Sequence, residues 1–411
     1  MVAERFIEQS NDLCRRLNGR TEKNMNEQVT RAMFALIRHV VCGAELTEED
    51  KARLTPELLP QLYALSKSHD MAHIVAQGLS DLGLLGVDEI SQKFQKQQML
   101  AVYRYQKLNY ELEQICQTLE EAEIPFIPLK GSVIRQYYPE PWMRTSCDID
   151  VLVHEEELDR AVKTLQTTLH YEINGKRNYH DISLFSENGI HLELHFNIQE
   201  NMETIDKILS RVWEYTVPSE NAVLHFQTNE FLLFHHIAHA SYHFVSGGCG
   251  VRPMLDLWLL RAHLSYDEQQ VINLCTECGI AKFYSQMITL SDVWFSKRDF
   301  NPLTKQMSDY ILKAGVYGNI ENKIAVKRNQ TDGKMQYAIS RLWLPYNSLK
   351  QYYPILNKHQ WLLPVMEIRR WFRLLLKGRI KSSLHELNVN RTMSQEQIAG
   401  TADLLQKLGL D

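Results

Sequence analysis

The sequence predicts an α+β fold in which a small sheet domain lies between an N-terminal and a C-terminal helical domain. Apolar residues recur every three or four positions up to residue 123 and again from residue 228, which is helical spacing. Between these stretches, short apolar runs alternate with turn residues, which is typical of strands. The predicted domains are 1–123 (helical), 124–216 (sheet) and 217–411 (helical).

Composition and charge narrow the class of protein. A chain of 411 residues with 44% hydrophobic residues can bury more than one core. Its net charge of -5 argues against a protein that coats nucleic acid. The seven cysteines are an odd number spread widely, which is typical of free thiols in a reducing compartment. Without an apolar N-terminal segment or a membrane-spanning run, we expect a cytoplasmic protein with no membrane partner.

Each predicted element has its own local signal. One or two long helices are expected over 88–121, and an amphipathic helix over 155–170. Gly247, Gly248 and Gly250 are expected to close one C-terminal helix, and Pro253 to open the next. Glu187-Asn188-Gly189 predicts a hairpin turn. The strand candidates are 124–129, 148–153, 171–174, 181–185 and 190–196.

Two aspartates alternate on the strand at 148–153. Successive side chains of a strand point to opposite faces, so Asp148 and Asp150 share one face. Neighbouring buried carboxylates repel each other unless a cation lies between them. Because carboxylate oxygens suit Mg²⁺, the pair predicts a magnesium site, with a solvated strand end as the alternative.

Gly131 and Ser132 lie between the first strand and a predicted helix that continues to Tyr138. At such a position, the backbone N–H groups of the first helical turn are free to donate to phosphate oxygens. Lys130 adds a positive charge, and Ser132 adds a hydroxyl donor. The segment predicts a phosphate-binding turn; alternatively, Ser132 caps the helix and Gly131 relieves a tight turn.

The segment IHLELHF places His191, Glu193 and His195 on one face of a strand and apolar residues on the other. If this strand pairs beside the one that carries Asp148, Glu193 completes a cluster of three carboxylates. Such a cluster can hold two metal ions and act on an attacking hydroxyl. The alternative is an edge strand whose polar face lies in water.

The order of these three elements resembles the DNA polymerase beta type nucleotidyltransferase superfamily. Its wider context is similar to an uncharacterised nucleotidyltransferase family within it, which places LKG and Tyr-Pro before R-x-x-x-D-[IL]-D-[IL]-L-V and closes with E-L-H. Those positions are 129–131, 138–139, 144, 148–153 and 193–195 here. Phe196 departs from the pattern, since Trp is more usual there. The resemblance extends downstream to His235, His239, Arg252 and Asp256.

The resemblance implies roles for these residues in the transfer of a nucleoside monophosphate. Asp148 and Asp150 would ligate two Mg²⁺ ions, for which Mn²⁺ can substitute, and Glu193 would be a third ligand or the general base. The triphosphate of a nucleoside triphosphate (NTP) would be held by Lys130, Gly131 and Ser132. Arg144 is a candidate phosphate clamp because its guanidinium can engage two oxygens, with a surface salt bridge as the alternative.

Further polar residues are candidates for substrate contact or for support of the site. His235, His239 and His243 are spaced four apart on a predicted helix and therefore share one face. They are interpreted as facing the nucleotide or acceptor cleft, with packing histidines or a metal site as alternatives. Arg252 and Asp256 are expected to form an ion pair one helical turn apart. His180 and His195 complete this set.

The preferred function is magnesium-dependent transfer of a nucleoside monophosphate to an acceptor hydroxyl, with release of pyrophosphate. The acceptor is a small molecule, a protein or an RNA end; the acidic net charge disfavours RNA, while the basic segment 369–381 keeps it open. The alternative is a catalytically silent module of the same fold that binds nucleotide. Clustered carboxylates speak against it, because a protein without metal chemistry has little reason to gather those charges.

Overall fold

The computed structural model has the predicted α+β architecture: a mixed five-stranded sheet with helices before it, against it and after it. The structure describes residues 26–175, 177–296, 298–316, 318–329, 343–344, 346, 349–350, 353–376 and 388–410. Cys14 and the end of the basic segment 369–381 therefore lie outside the described residues.

The main sheet contains five strands: β1 (Phe126–Pro128), β2 (Asp148–Val153), β3 (Glu172–Ile173), β4 (Asp181–Phe185) and β5 (His191–His195). Their spatial order is β1-β2-β5-β4-β3. Strand β2 pairs antiparallel with β1 and parallel with β5, and β4 pairs antiparallel with both β5 and β3. The chain reverses between β4 and β5 at Gly189, whose positive φ of 73° suits the predicted turn.

A two-stranded sheet that the sequence did not predict follows the main one, with β6 at Thr216–Pro218 and β7 at His225–Gln227. Between its strands the chain returns to β1, where the N–H of Phe126 donates to the carbonyl of Val223 at 3.0 Å. The segment after residue 216 therefore contacts the edge of the five-stranded sheet before the C-terminal helices begin.

Helices account for most of the rest of the described chain. The long helix expected over 88–121 is a single helix, which Asp88 caps by accepting hydrogen bonds from the N–H groups of Ile90 and Ser91. The helix after β2 has apolar residues on one face, as predicted, and Pro253 lies in the first turn of the helix that follows the three glycines.

The helices are α1 (26–42), α2 (Glu48–Arg53), α3 (Leu59–Ser68), α4 (Ala72–Asp81), α5 (Glu89–Glu121), α6 (Gly131–Ile134), α7 (Leu158–Leu169), α8 (Glu203–Leu209), α9 (Asn229–Val245), α10 (Arg252–His263), α11 (Glu268–Glu277), α12 (Ala281–Phe295), α13 (Pro302–Ala314), α14 (Ile320–Asn329), α15 (Leu363–Leu376), α16 (388–392) and α17 (Gln395–Leu408).

Two hydrophobic cores hold the sheet between helices. One core packs α5 and α7 against the sheet, through residues such as Ile115, Leu165 and Val151. The larger core joins N-terminal and C-terminal helices, so that Leu36, Phe231 and residues of the turn after β1 belong to one cluster. The helices on both sides of the sheet domain in sequence therefore meet in space.

Two expectations from composition, about the state of the cysteines and about membrane-spanning helices, can be compared with the described residues. Their cysteines are all free, as the odd number and wide spread predicted. No helix in the described part of the chain is long and apolar enough to cross a membrane.

The turn after α9 generates a stability prediction, because Gly248 has a φ of 131° and a Cβ there would lie 2.2 Å from the Cβ of Ala314. We expect Gly248→Ala to lower the free energy of unfolding by about 3 kcal/mol, from backbone strain and overpacking together. Gly83→Ala is the matched control: its φ is 66°, but nothing lies within 4 Å of the added carbon. Its expected cost is about 1 kcal/mol. Urea unfolding measures both; equal costs would contradict the packing argument.

Candidate active site

Two strands bring the predicted carboxylates together. Because β2 and β5 are parallel neighbours, Asp150 lies directly beside Glu193, and Asp148 lies beside His191. Alternation along each strand then puts Asp148, Asp150 and Glu193 on the same face of the sheet. The condition on which the predicted cluster depended, that the two strands are neighbours, is therefore met.

Asp150 is buried, and two cationic or polar groups meet it. Its Oδ1 accepts hydrogen bonds from Nζ of Lys130 and from Nε2 of His195, each at 2.9 Å. Burial alone would raise the pKa of Asp150, but Lys130 and His195 outweigh burial and hold that pKa well below its ordinary value. Asp150 is therefore ionised at neutral pH, with an ammonium group in the position next to its carboxylate.

The other two carboxylates shift in the opposite direction. Burial, and next the negative charge of Asp150, raise the pKa of Asp148 and of Glu193 above their usual values. A cation between the three groups would relieve this repulsion.

The donor set around the carboxylates fits a metal. Ligand atoms of Asp148, His191 and Glu193 lie within 4.8 Å of one another, as do those of Asp150, Glu193 and His195. Glu193 belongs to both groups. Carboxylate oxygens that lie this close, on one sheet face, are a chemically suitable site for divalent ions.

The turn after β1 brings Lys130 to the carboxylates. Lys130 has a φ of 47° and ψ of -117°, a conformation that non-glycine residues rarely adopt. The N–H of Ser132 is not free as expected, because it donates to the carbonyl of Leu129 at 3.1 Å. The Ser132 hydroxyl is buried and, within the described residues, has no hydrogen-bond partner. The helix that follows has four residues and gives way to a 3₁₀ turn before Tyr138.

Arg144 forms a buried ion pair with Asp256, which lies on a C-terminal helix. Its Nη2 donates to Oδ2 of Asp256 in α10 at 3.0 Å, and the hydroxyl of Tyr138 donates to the other carboxylate oxygen at 2.7 Å. Burial by itself would raise the pKa of Asp256, but the Arg144 guanidinium outweighs it and lowers that pKa. A Cβ on residue 131 would lie 2.6 Å from Nη1 of Arg144, so the close approach requires Gly131.

The expected pair between Arg252 and Asp256 is wrong. Arg252 instead pairs with Asp70 in the turn between α3 and α4, and also donates to Oγ1 of Thr145 at 3.0 Å. The reason is burial: Asp256 is 1% exposed and faces the loop that carries Arg144, whereas Arg252, in the first turn of α10, reaches the N-terminal helices. Together these contacts connect the loop that carries Arg144 and Thr145 to N-terminal and C-terminal helices.

The three histidines spaced four apart on α9 share one wall of a cavity of about 470 Å³, which the carboxylates and Lys130 also line. His235 is buried and hydrogen-bonds through Nδ1 to the side chain of Gln227. His180 lines the same cavity, and its ring stacks on that of His195 with 5.5 Å between the centroids. Helix α9 therefore faces the cavity that the carboxylates line, and the role of its histidines stays a prediction.

Several cavity residues had no signal in the sequence. Glu200, Tyr179 and Tyr242 line the cavity, and Oε1 of Glu200 accepts a hydrogen bond from Nδ1 of His239 at 2.5 Å. Glu200 lies in an irregular segment after β5, where no period marks the direction of a side chain. The only signal in the sequence was its position shortly after the strand that carries Glu193, because loops that follow the strands of a site commonly carry functional residues.

Comparisons with known proteins identify the family of the chain. The site to which they are added has three carboxylates on one sheet face beside the basic turn of Lys130. The family described as "Uncharacterised nucleotidyltransferase" matches residues 56–296. This match covers more than half of the chain, and the protein belongs to that family.

A solved structure, an antigenic nucleotidyltransferase-like protein from Paracoccidioides brasiliensis, is similar to part of the chain. It is 13% identical and covers 47% of this chain and 94% of its own, with a TM-score of 0.33. The comparison with curated proteins gave no match.

The buried pair of Arg144 with Asp256 generates a second stability prediction. Asp256→Asn removes the countercharge and leaves a buried guanidinium uncompensated, so we expect the free energy of unfolding to fall by about 3–5 kcal/mol. Asp309→Asn is the matched control, since Asp309 pairs with Lys305 at 2.9 Å with both side chains about half exposed. Its expected cost is about 0–1 kcal/mol. Equal thermal stability of the two variants would show that the buried pair has no special weight.

The histidines of α9 predict how stability depends on pH. Burial lowers the pKa of His235 to about 3 and that of His243 to about 4. The same side chain in an unfolded chain has a pKa of about 6.5, so below that pH the unfolded chain binds protons that the folded protein does not. We expect the free energy of unfolding to fall as the pH decreases from about 6.5 to about 4, by up to about 1.4 kcal/mol per unit for each histidine.

Urea unfolding at a series of pH values tests this dependence. His235→Gln removes one titrating group, so its unfolding free energy should change less steeply with pH than that of the wild type. His263→Gln, at an exposed position at the end of α10, is the control and should keep the wild-type slope. A His235→Gln slope equal to that of the wild type would refute the assignment of this titration to His235.

Proposed function

We propose that this protein transfers a nucleoside monophosphate from an NTP to an acceptor hydroxyl and releases pyrophosphate. The observation that carries the proposal is the cluster of Asp148, Asp150 and Glu193 on neighbouring strands, in a cavity that Lys130 and Gly131 also line. Membership of a nucleotidyltransferase family supports the same chemistry.

The three carboxylates would hold divalent ions, for which Mg²⁺ is the natural choice because all of its protein ligands here would be oxygens. Bound Mg²⁺ supplies positive charge that offsets the phosphate charges in the ground state and in the transition state. Mn²⁺ suits the same ligands and is expected to substitute.

Lys130 would exchange one partner for another as substrate binds. Its Nζ lies 2.9 Å from Oδ1 of Asp150 and offsets the negative charge of that carboxylate. A bound metal ion would offset the same charge. With the carboxylate occupied, the ammonium group is released toward the triphosphate. Gly131 leaves room for the Arg144 guanidinium beside this turn, and the buried Ser132 hydroxyl, which lacks a partner among the described residues, would be a further donor.

Arg144 is proposed to support the turn rather than to clamp phosphate as a free side chain. Its guanidinium already pairs with Asp256 at 3.0 Å, and its Nη1 lies where a side chain on residue 131 would be. The pair fixes the position of Gly131. The positive charge still lines the cavity and adds to the attraction for the triphosphate.

The reaction moves one phosphoryl-linked group between two oxygens. The acceptor oxygen forms a bond to the α-phosphorus, while the bond from that phosphorus to the oxygen shared with the β-phosphate breaks. Pyrophosphate leaves with the bonding electron pair. The acceptor would be a hydroxyl of a small molecule, of a protein side chain or of an RNA end.

The test is pyrophosphate release with Mg²⁺ and each of the four NTPs, in the presence of pooled sugars, casein and total tRNA as acceptors. We expect the double variant Asp148→Ala, Asp150→Ala to lose about 100-fold or more of the release, because the charges that stabilise the transferring group are gone. Replacing Mg²⁺ by Mn²⁺ should retain activity, and removing divalent ions should abolish it.

Glu172→Ala is the matched control, because Glu172 is an exposed carboxylate on strand β3 of the same sheet. It should leave release unchanged. Nucleotide binding that depends on Mg²⁺ without any release would favour a catalytically silent module. Release that survives in the double variant would refute the assignment of the site.

A further inference from the structure

A second cluster of polar side chains lines the cavity on the side of helix α9, apart from the cluster of Asp148, Asp150 and Glu193. Helix α9 contributes His239 and His243, and the segment after β5 contributes Glu200. Nδ1 of His239 lies 2.5 Å from Oε1 of Glu200, and its Nε2 lies 3.0 Å from Nε2 of His243. The three side chains therefore form a hydrogen-bonded chain that runs along the wall.

These contacts fix where the protons lie on His239. Nδ1 of His239 donates its hydrogen to Oε1 of Glu200, because a carboxylate oxygen accepts hydrogen bonds. The imidazole is neutral, since burial lowers its pKa well below the usual value, and Nε2 consequently holds a lone pair. His243 donates its own Nε2–H to that lone pair. A neutral histidine oriented by a carboxylate is the arrangement that proteins use for a general base.

We propose that His239 takes the proton of the acceptor hydroxyl and that Glu200 is its positioning residue; this inference rests on the proposed function. The acceptor O–H replaces His243 as the donor to Nε2 of His239. As the acceptor oxygen bonds to the α-phosphorus, its proton passes to Nε2, and pyrophosphate leaves with the electrons of the broken bond. Glu200 then balances the positive charge of the imidazolium.

The carboxylate wall is less suited to this task. Glu193 belongs to both groups of potential metal ligands, and the positive charge of a bound metal ion makes a carboxylate a weaker base. His239 comes from a different element of the cavity wall and lies close enough to Lys130 and Asp150 for their charges to act on it. Its side chain is 30% exposed, whereas that of Glu200 is 12% exposed. The base is accessible from the cavity, and its orienting carboxylate is largely shielded.

The experiment compares wild type, His239→Ala, Glu200→Gln and the surface control His263→Ala in the pyrophosphate assay, with whichever of sugars, casein or total tRNA supports release. We expect His239→Ala to lower kcat by about 100-fold or more, with the KM for NTP unchanged, because general base catalysis is lost while the phosphate contacts remain. Added imidazole should restore part of the lost activity of this variant.

Two further results are expected from the same set of proteins. Glu200→Gln should lower kcat by a smaller factor, about 10-fold, without rescue by imidazole, because its histidine is still present. Binding of Mg²⁺ with an α,β-methylene NTP analogue, measured by calorimetry, should be the same in wild type and His239→Ala. Equal binding shows that the variant is folded and that its loss is one of chemistry.

Three outcomes would overturn the inference. His239→Ala with wild-type kcat would show that another group accepts the proton, while the proposed function would stand. If His239→Ala loses binding of the analogue, His239 would be assigned to ligand binding. The same would follow if elemental analysis found a stoichiometric transition metal in the wild type that His239→Ala lacks. A wild type that binds the analogue and releases no pyrophosphate would refute the proposed function itself, and the inference with it.

Discussion

The repulsion between three carboxylates is the constraint on which the site depends. Parallel pairing of β2 with β5 puts Asp150 beside Glu193, and strand alternation adds Asp148 to the same face. A protein can keep such charges together only with compensating cations. Here Lys130 and His195 meet Asp150, at the cost of an unusual backbone conformation at Lys130. The unequal pKa shifts of Asp150 and its two neighbours follow from this unequal compensation.

The position of the basic turn depends on a second, more remote interaction. Asp256 in α10 holds both Arg144 and Tyr138, and Arg144 in turn packs against Gly131. The turn that would meet the triphosphate is thus fixed from the C-terminal helices. Helices from both ends of the chain share one hydrophobic core with residues of this turn, so the turn is packed as well as paired.

What the sequence could predict follows from periodicity. Alternation fixes the face of Asp148, Asp150 and Glu193, and four-residue spacing fixes the shared face of the histidines on α9. Family resemblance added the order of the motifs. Contacts between distant segments leave no such period, so Arg144 and Asp256, 112 residues apart, could not be paired in advance. Glu200 was missed for the same reason, since irregular backbone carries no rule for side-chain direction. The expectation that residues four apart on a helix form an ion pair was wrong for Arg252, because the buried Asp256 pairs with Arg144 instead.

The two walls of the cavity differ in charge: the sheet contributes carboxylates, and helix α9 contributes histidines. In the proposed reaction, this difference would decide which substrate group approaches each wall. In the proposed reaction, the sheet wall would be anionic once Lys130 leaves Asp150, so a triphosphate would approach it only together with cations that offset both sets of charge. On the α9 wall, burial lowers the pKa values of His235, His239 and His243, so these histidines add little positive charge to the cavity. In the inferred proton transfer, a neutral hydroxyl would approach that wall without a counterion, and Glu200 would meet the positive charge that the transfer creates on His239. The proposed reaction would therefore keep the phosphate charges and the transferred proton on different walls of the cavity.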